Sequence, residues 1–329
     1  AAALTSGIPH PTGYPTYQLL LRLVLALFPG EPARAGAWLS ALAMAAAAAL
    51  LADLARRLLA GAKWGGAVAV VAGLAWAAAP AVWGQATITE VYALNALFCA
   101  ALLWLGWRWS ERPDRLRQLR WRSEPGKSGL AISGFVFGLA LGNHLTVALM
   151  LPGLAAWYWG KARADAALAR RLRSGLPTAA LLMLAGLAVY AYLPLAPQGV
   201  PPINWRDPQT LDAFVWVVTG RLYGGLAFGL PLAQWPARLA GFASEAGAQF
   251  GGAWGMLLAL PGLWRLEAKD RHWWRATLLI ALAYVLYGIG YNTTDSYVYL
   301  LPAWAMAALW LAQGVAWLVE KAARHKMPA

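Results

Sequence analysis

His10, Glu90, His144 and Asp295 are ionisable side chains of this sequence that fall outside its basic segments. Carboxylates and imidazoles can exchange protons with a reacting hydroxyl, so such a set could run general acid–base chemistry. Asp207 adds a further acid in the Pro-braced loop Pro201-Pro202-Ile203-Asn204-Trp205-Arg206-Asp207-Pro208. Arg206 and Arg221 supply planar guanidinium groups that can grip a phosphate through paired hydrogen bonds. His10 and His144 with Glu90 or Asp295 could also ligate a divalent metal, but their spacing specifies no metal geometry, and no metal or cofactor is expected. The sequence holds no Walker A loop, no GxSxG elbow, no HExxH helix and no cysteine-based metal spacing. Cys99 is the single cysteine, so no disulfide forms within the chain.

The elements that carry these residues must live in lipid. Hydrophobic residues make up 60% of the 329 and charged residues 12%, with a mean hydropathy of +0.50. A soluble domain carries about twice that share of charge. Apolar runs long enough to span a bilayer lie near 35–55, 66–83, 91–109, 129–145, 147–160, 176–194, 245–264, 274–291 and 297–319. The expected architecture is an all-α, polytopic membrane protein of about eight or nine membrane helices, a single domain over residues 1–329. The pair flanking Asn143-His144 is short, as in a hairpin of thin helices. Residues 16–28 form an amphipathic stretch too short to span, suited to lying along the interface.

The formal charge of +13 could suggest nucleic acid, but its distribution has another cause. All 27 Lys and Arg residues except Arg22, Arg34, Arg206, Arg221 and Arg238 fall in alternate connections or at the C-terminal end. Positive loops stay cytoplasmic, which also accounts for the Trp- and Arg-rich run 107–122 as an interfacial loop. No nucleic-acid partner is expected. The opposite connections, 1–34, 84–90, 143–146, 195–244 and 292–296, then face outward. They gather His10, Glu90, Asn143, His144, Trp205, Arg206, Asp207, Arg221, Tyr223, Asn292 and Asp295 at one membrane surface. Distant pieces of sequence meeting at one interface are what a site built between helices requires.

Several of these pieces carry a resemblance. They are His10-Pro11-Thr12-Gly13-Tyr14-Pro15, Trp83-Gly84-Gln85-Ala86 running into Glu90-Val91-Tyr92-Ala93-Leu94-Asn95, and Gly142-Asn143-His144-Leu145-Thr146. Tyr192-Leu193-Pro194-Leu195, Asn204-Trp205-Arg206-Asp207-Pro208, Gly220-Arg221-Leu222-Tyr223, and Tyr291-Asn292 with Asp295 and Tyr299-Leu300-Leu301-Pro302 follow in order. The chain resembles the transmembrane-protein-260-like family, long catalogued as a domain of unknown function, whose members look like membrane glycosyltransferases of the C-type fold.

The resemblance implies transfer of a sugar, mannose or another hexose, from a polyprenyl-phosphate carrier to an extracytoplasmic acceptor such as a protein hydroxyl or a glycan. It implies a general base on an acid just ahead of the His-Pro loop. Residues 1–9 contain no Asp or Glu. The chain also opens without an initiator Met, so the principal acid and a first span are expected upstream of Ala1. Within the chain, His10, Glu90, Asp207 and Asp295 are the supporting acid–base candidates. Arg22, Arg206 and Arg221 are candidates for the carrier phosphate. Tyr14, Tyr92, Asn143, His144, Trp205, Tyr223 and Asn292 offer the hydroxyl partners and flat faces a sugar needs. The alternative is a transporter or flippase of lipid-linked sugars, which more often shows internal repeats and polar groups at the membrane midplane. A scaffold would leave the outer motifs without a cause. Ala- and Arg-rich usage suggests a high-GC prokaryotic source, hence the plasma membrane.

Overall fold

The computed structural model describes residues 1–28, 30–111 and 125–325. Their long elements are helices: α1 (Pro15–Leu27), α2 (Pro32–Leu58), α3 (Gly65–Ala78), α4 (Pro80–Ala86), α5 (Val91–Ser110), α6 (Pro125–Leu141), α7 (Leu151–Ala164) and α8 (Ala166–Leu187). After these come α9 (Tyr192–Leu195), α10 (Leu211–Val218), α11 (Trp235–Gln249), α12 (Ala253–Lys269), α13 (Arg271–Gly290) and α14 (Leu301–His325). Among the described residues, β-type pairing is confined to an isolated parallel bridge between Ile8 and Asn204.

Local chemistry sets where helices begin. Glu31 accepts from the backbone N–H groups of Ala33 and Arg34 at 3.2 and 2.8 Å, satisfying donors that α2 cannot satisfy itself. Asp165 does the same for α8 and Asp270 for α13. Pro80 opens α4 and bends it 68° from α3, so the run read as one span over 66–83 is a broken one.

Five of the described helical stretches are long and apolar enough to cross a bilayer. They are α2, α5, Ala166–Gly199 beginning with α8, α13, and Ser296–Ala323, and the bent pair α3–α4 makes a sixth if counted as one span. The expected spans 129–145, 147–160 and 245–264 correspond to α6, α7 and α12, of 17, 14 and 17 residues. Much of the expected basic connection between Arg108 and Lys127 lies outside the described residues, as does the C-terminal stretch 326–329.

Close backbone approach holds helix pairs together where lipid offers no hydrophobic drive between helices. Gly138 of α6 packs against the Met183 carbonyl oxygen of α8, and Gly262 of α12 against the Trp310 carbonyl oxygen of α14, each too close to admit a Cβ. Helices α5 and α13, of 20 residues each, are about 30 Å long at about 1.5 Å per residue. Helix α5 starts at Val91, next to Glu90, and ends beside Arg108; α13 starts at Arg271 and ends at Gly290. The basic residues and the expected site residues therefore stand at opposite ends of the same helices.

Candidate active site

At the end away from the basic residues, the connections enclose a cavity of about 470 Å³. The segment before α1 supplies His10, Thr12 and Tyr14; the start of α5 supplies Glu90 and Tyr92; the turn after α6 supplies His144 and Thr146. Thr219, Gly220 and Tyr223 come from the strap after α10, and Tyr287, Tyr291, Thr293, Asp295 and Tyr299 from the end of α13 and the turn beyond it. Leu145, Ala148, Leu149 and Leu226 make part of the lining apolar.

The end of α6 positions much of this wall. A helix leaves its last carbonyls without intrahelical donors. Here Thr16 donates its backbone N–H to Gly142 at 3.0 Å and its hydroxyl to Leu139 at 2.7 Å, while the Tyr190 hydroxyl donates to Leu141 at 2.8 Å. Asn143, with no exposed surface, donates its side-chain amide to the Val91 carbonyl at 3.2 Å. Helix α1, the start of α5 and the segment around Tyr190 are thus tied to one helix terminus.

His144 follows directly. Its Nδ1 accepts from the Thr146 backbone N–H at 3.3 Å and lies 2.7 Å from the Thr146 hydroxyl, so the neutral ring carries its proton on Nε2. Burial, with His10 nearby adding to it, pushes the His144 pKa down to about 4. Its ring stacks on Tyr14 at 5.9 Å and meets Tyr92 at 5.5 Å and Tyr299 at 6.0 Å. Tyr299 continues this aromatic wall to Tyr291 and Tyr287 at 5.0 and 5.2 Å.

His10 is exposed at the cavity's edge, its Nδ1 lying 3.0 Å from the Tyr223 hydroxyl. Tyr14 donates its hydroxyl to the Pro11 carbonyl at 3.2 Å, and burial raises the Tyr14 and Tyr223 phenols above their ordinary values. Glu90 occupies the position before α5 without capping it, and Asp295 precedes a short 3-10 turn. Both are exposed, and among the described residues neither carboxylate forms a hydrogen bond or an ion pair. Arg238 of α11 donates to the Tyr291 carbonyl at 3.2 Å and to the Ser296 hydroxyl, pinning the connection that carries Asp295.

The structure thus gathers His10, Tyr14, Glu90, Tyr92, His144, Tyr223 and Asp295, and leaves other candidates outside. Asn143 lies behind the wall, bonded to Val91. Asn292 is exposed and engages through its backbone, donating to Leu226 at 2.9 Å. Trp205 reaches the His10 ring edge-on at 6.5 Å without lining the cavity. Arg206 and Asp207 occupy consecutive left-handed positions, φ 64° and 44°. Arg206 turns to Asp212 at 3.6 Å and over the Trp216 ring. Asp207, fully exposed, accepts from Asn204 and Gln209, which lowers its pKa. Arg22 lies over Tyr192, and Arg221 stands in sequence between the lining residues Gly220 and Tyr223. Among the described residues, no three His, Cys, Asp or Glu side chains come together as metal ligands. The set of candidates missed Tyr287, Tyr291 and Tyr299. The four-residue spacing of the first two, one helical face at the end of an apolar run, was the available signal.

Residues 1–167 match the family described as protein O-mannosyl-transferase TMEM260 N-terminal domain. The protein O-mannosyl-transferase TMEM260 of Mus musculus is 32% identical over 216 residues, covering 65% of this chain and 29% of that protein. The chain thus spans less than a third of that curated relative. Among solved structures, ArnT from Cupriavidus metallidurans bound to undecaprenyl phosphate superposes with a TM-score of 0.62 at 19% identity, over 93% of this chain and 49% of that one. The same enzyme in its apo state gives 0.55 at 20% identity, over 94% and 49%. The helical fold is therefore the C-type glycosyltransferase fold expected from the sequence motifs.

Proposed function

The chain belongs to the protein O-mannosyl-transferase TMEM260 N-terminal domain family, and from that premise we propose that it serves a membrane glycosyltransferase that moves a hexose, mannose first among candidates, from a polyprenyl-phosphate carrier to an acceptor hydroxyl. The observation that carries the reading is the cavity, where two unpaired carboxylates, a neutral imidazole and a tyrosine wall meet at the helix ends remote from the basic residues. With the basic ends cytoplasmic, the cavity opens extracytoplasmically, as expected of a multi-pass protein of the cell membrane. The mouse relative's name supports protein hydroxyls as acceptor, and the bound molecule of the ArnT structure supports a polyprenyl-phosphate carrier.

In this reaction the bond between the sugar's anomeric carbon and the carrier phosphate breaks while the acceptor oxygen bonds to that carbon. The acceptor proton passes to a carboxylate, and the carrier departs as its phosphate monoester. The resemblance assigns the base to an acid ahead of the His10 loop, with Glu90 and Asp295 holding acceptor or base in place. His144 presents Nε2–H as a donor to a sugar hydroxyl, and Tyr14 and Tyr92 frame the ring. Arg221, flanked by lining residues, is the nearest of the three arginine candidates to the cavity along the chain and takes the carrier phosphate at its mouth.

The test is transfer from labelled polyprenyl-phosphate mannose by the protein in lipid nanodiscs. Labelled acceptor, lost in Glu90→Gln and Arg221→Ala variants that still fold, is the expected result. Movement of the lipid-linked sugar across vesicles with no transfer would overturn the reading in favour of a flippase.

A further inference from the structure

We propose that Glu90 and Asp295 make the cavity a charge filter that admits a glycosyl group bearing hydroxyls only and refuses one bearing an acid. The inference rests on the cavity being the sugar site of the proposed transferase. Six tyrosines, four threonines and two carboxylates line it, with no lysine or arginine among the lining residues. Anion sites in proteins are ordinarily built from guanidinium groups, ammonium groups or clustered backbone N–H donors. Here the acids come from two different elements, the residue before α5 and the turn beyond α13, and neither is neutralised by a partner among the described residues.

Two imidazoles also line the cavity, His10, whose Nδ1 is met by the hydroxyls of Tyr223 and Tyr14, and His144. His144 is a neutral ring whose Nδ1 is already engaged by Thr146. Aromatic faces carry partial negative charge. The start of α5 brings a partial positive charge beside Glu90, and the end of α13 brings a partial negative one toward Tyr291, so the two helix dipoles oppose each other. A uronic acid placed here would lose water and gain two like charges, whereas a neutral hexose keeps hydroxyl partners throughout. The carrier phosphate escapes the same penalty by remaining at the mouth rather than inside.

Binding of labelled polyprenyl-phosphate mannose and polyprenyl-phosphate glucuronate to the chain in nanodiscs tests the filter. The uronosyl donor is expected to bind about 100-fold more weakly, and the Glu90→Gln/Asp295→Asn double variant is expected to narrow that ratio below about tenfold by improving uronosyl binding. Should the double variant melt early, each single variant is expected to narrow the ratio part of the way. Equal binding of both donors to the native chain, or an unchanged ratio in folded variants, overturns the filter alone. If neither donor binds, the filter and the transferase reading fall together.

Discussion

The two ends of the helix bundle solve opposite problems with the same kinds of residue. At the basic end charges are paired both within and across helices. Arg57 binds Asp53 at 2.6 Å and also Glu111, Lys161 binds Asp270 at 2.6 Å, and Arg265 grips Glu320 with two bonds while donating to Gln313 at 3.1 Å. At the cavity end Glu90 and Asp295 stand unpaired among the described residues. Six of the seven described non-glycine residues in left-handed conformation, Ser6, Tyr14, Val200, Arg206, Asp207 and Phe228, also lie in connections at that end. Paired charge fixes helices against one another, and of these six strained residues Tyr14 lines the cavity.

If this division holds, substitutions at the two ends should separate function from stability. The largest effect is expected from His144→Ala, which removes a donor from the cavity and should lower transfer about 100-fold with little change in melting temperature. A comparable loss of stability would break the comparison. Asp270→Ala removes both a cap and the partner of Lys161; denaturation in mild detergent should show a loss of about 2 kcal/mol, with donor affinity retained. Acid sharpens the contrast further. His144 titrates near 4 when folded and near 6.5 when unfolded, so the unfolded chain takes up the proton first. The resulting stability is complete above pH 6.5 and declines as pH falls toward 4. Melting curves of the native chain and of His144→Gln should diverge in that window, and parallel curves would remove His144 as the cause. The smallest effect belongs to Arg56→Ala at the basic end, whose side chain is 57% exposed, and should stay within about 0.5 kcal/mol.

Much of the bundle could be read from residue order because lipid imposes long apolar runs and basic loops mark one end of each. The seven cavity residues anticipated share one trait, a polar group at the edge of an apolar run. What escaped the sequence depends on local direction. Arg206 and Asp207 belong to the right face, but two consecutive left-handed residues aim them at Asp212, Gln209 and Asn204 instead of the cavity. Asn143 and His144 are neighbours, yet the Val91 carbonyl claims one and the cavity the other. Tyr287 and Tyr299 lie inside apolar runs, where hydropathy is blind to phenol hydroxyls. Helix α8 starts at Ala166, well before the expected 176, because the Asp165 cap extends it through the basic turn.

The knot at the end of α6 has a mechanical consequence. Because Thr16, Tyr190 and Asn143 bind that terminus to three other segments, a tilt of α6 cannot shift His144 alone. Tyr14, two residues before Thr16, and Tyr92, next to Val91, must travel with it. These three rings therefore move as one unit relative to the strap that carries Tyr223.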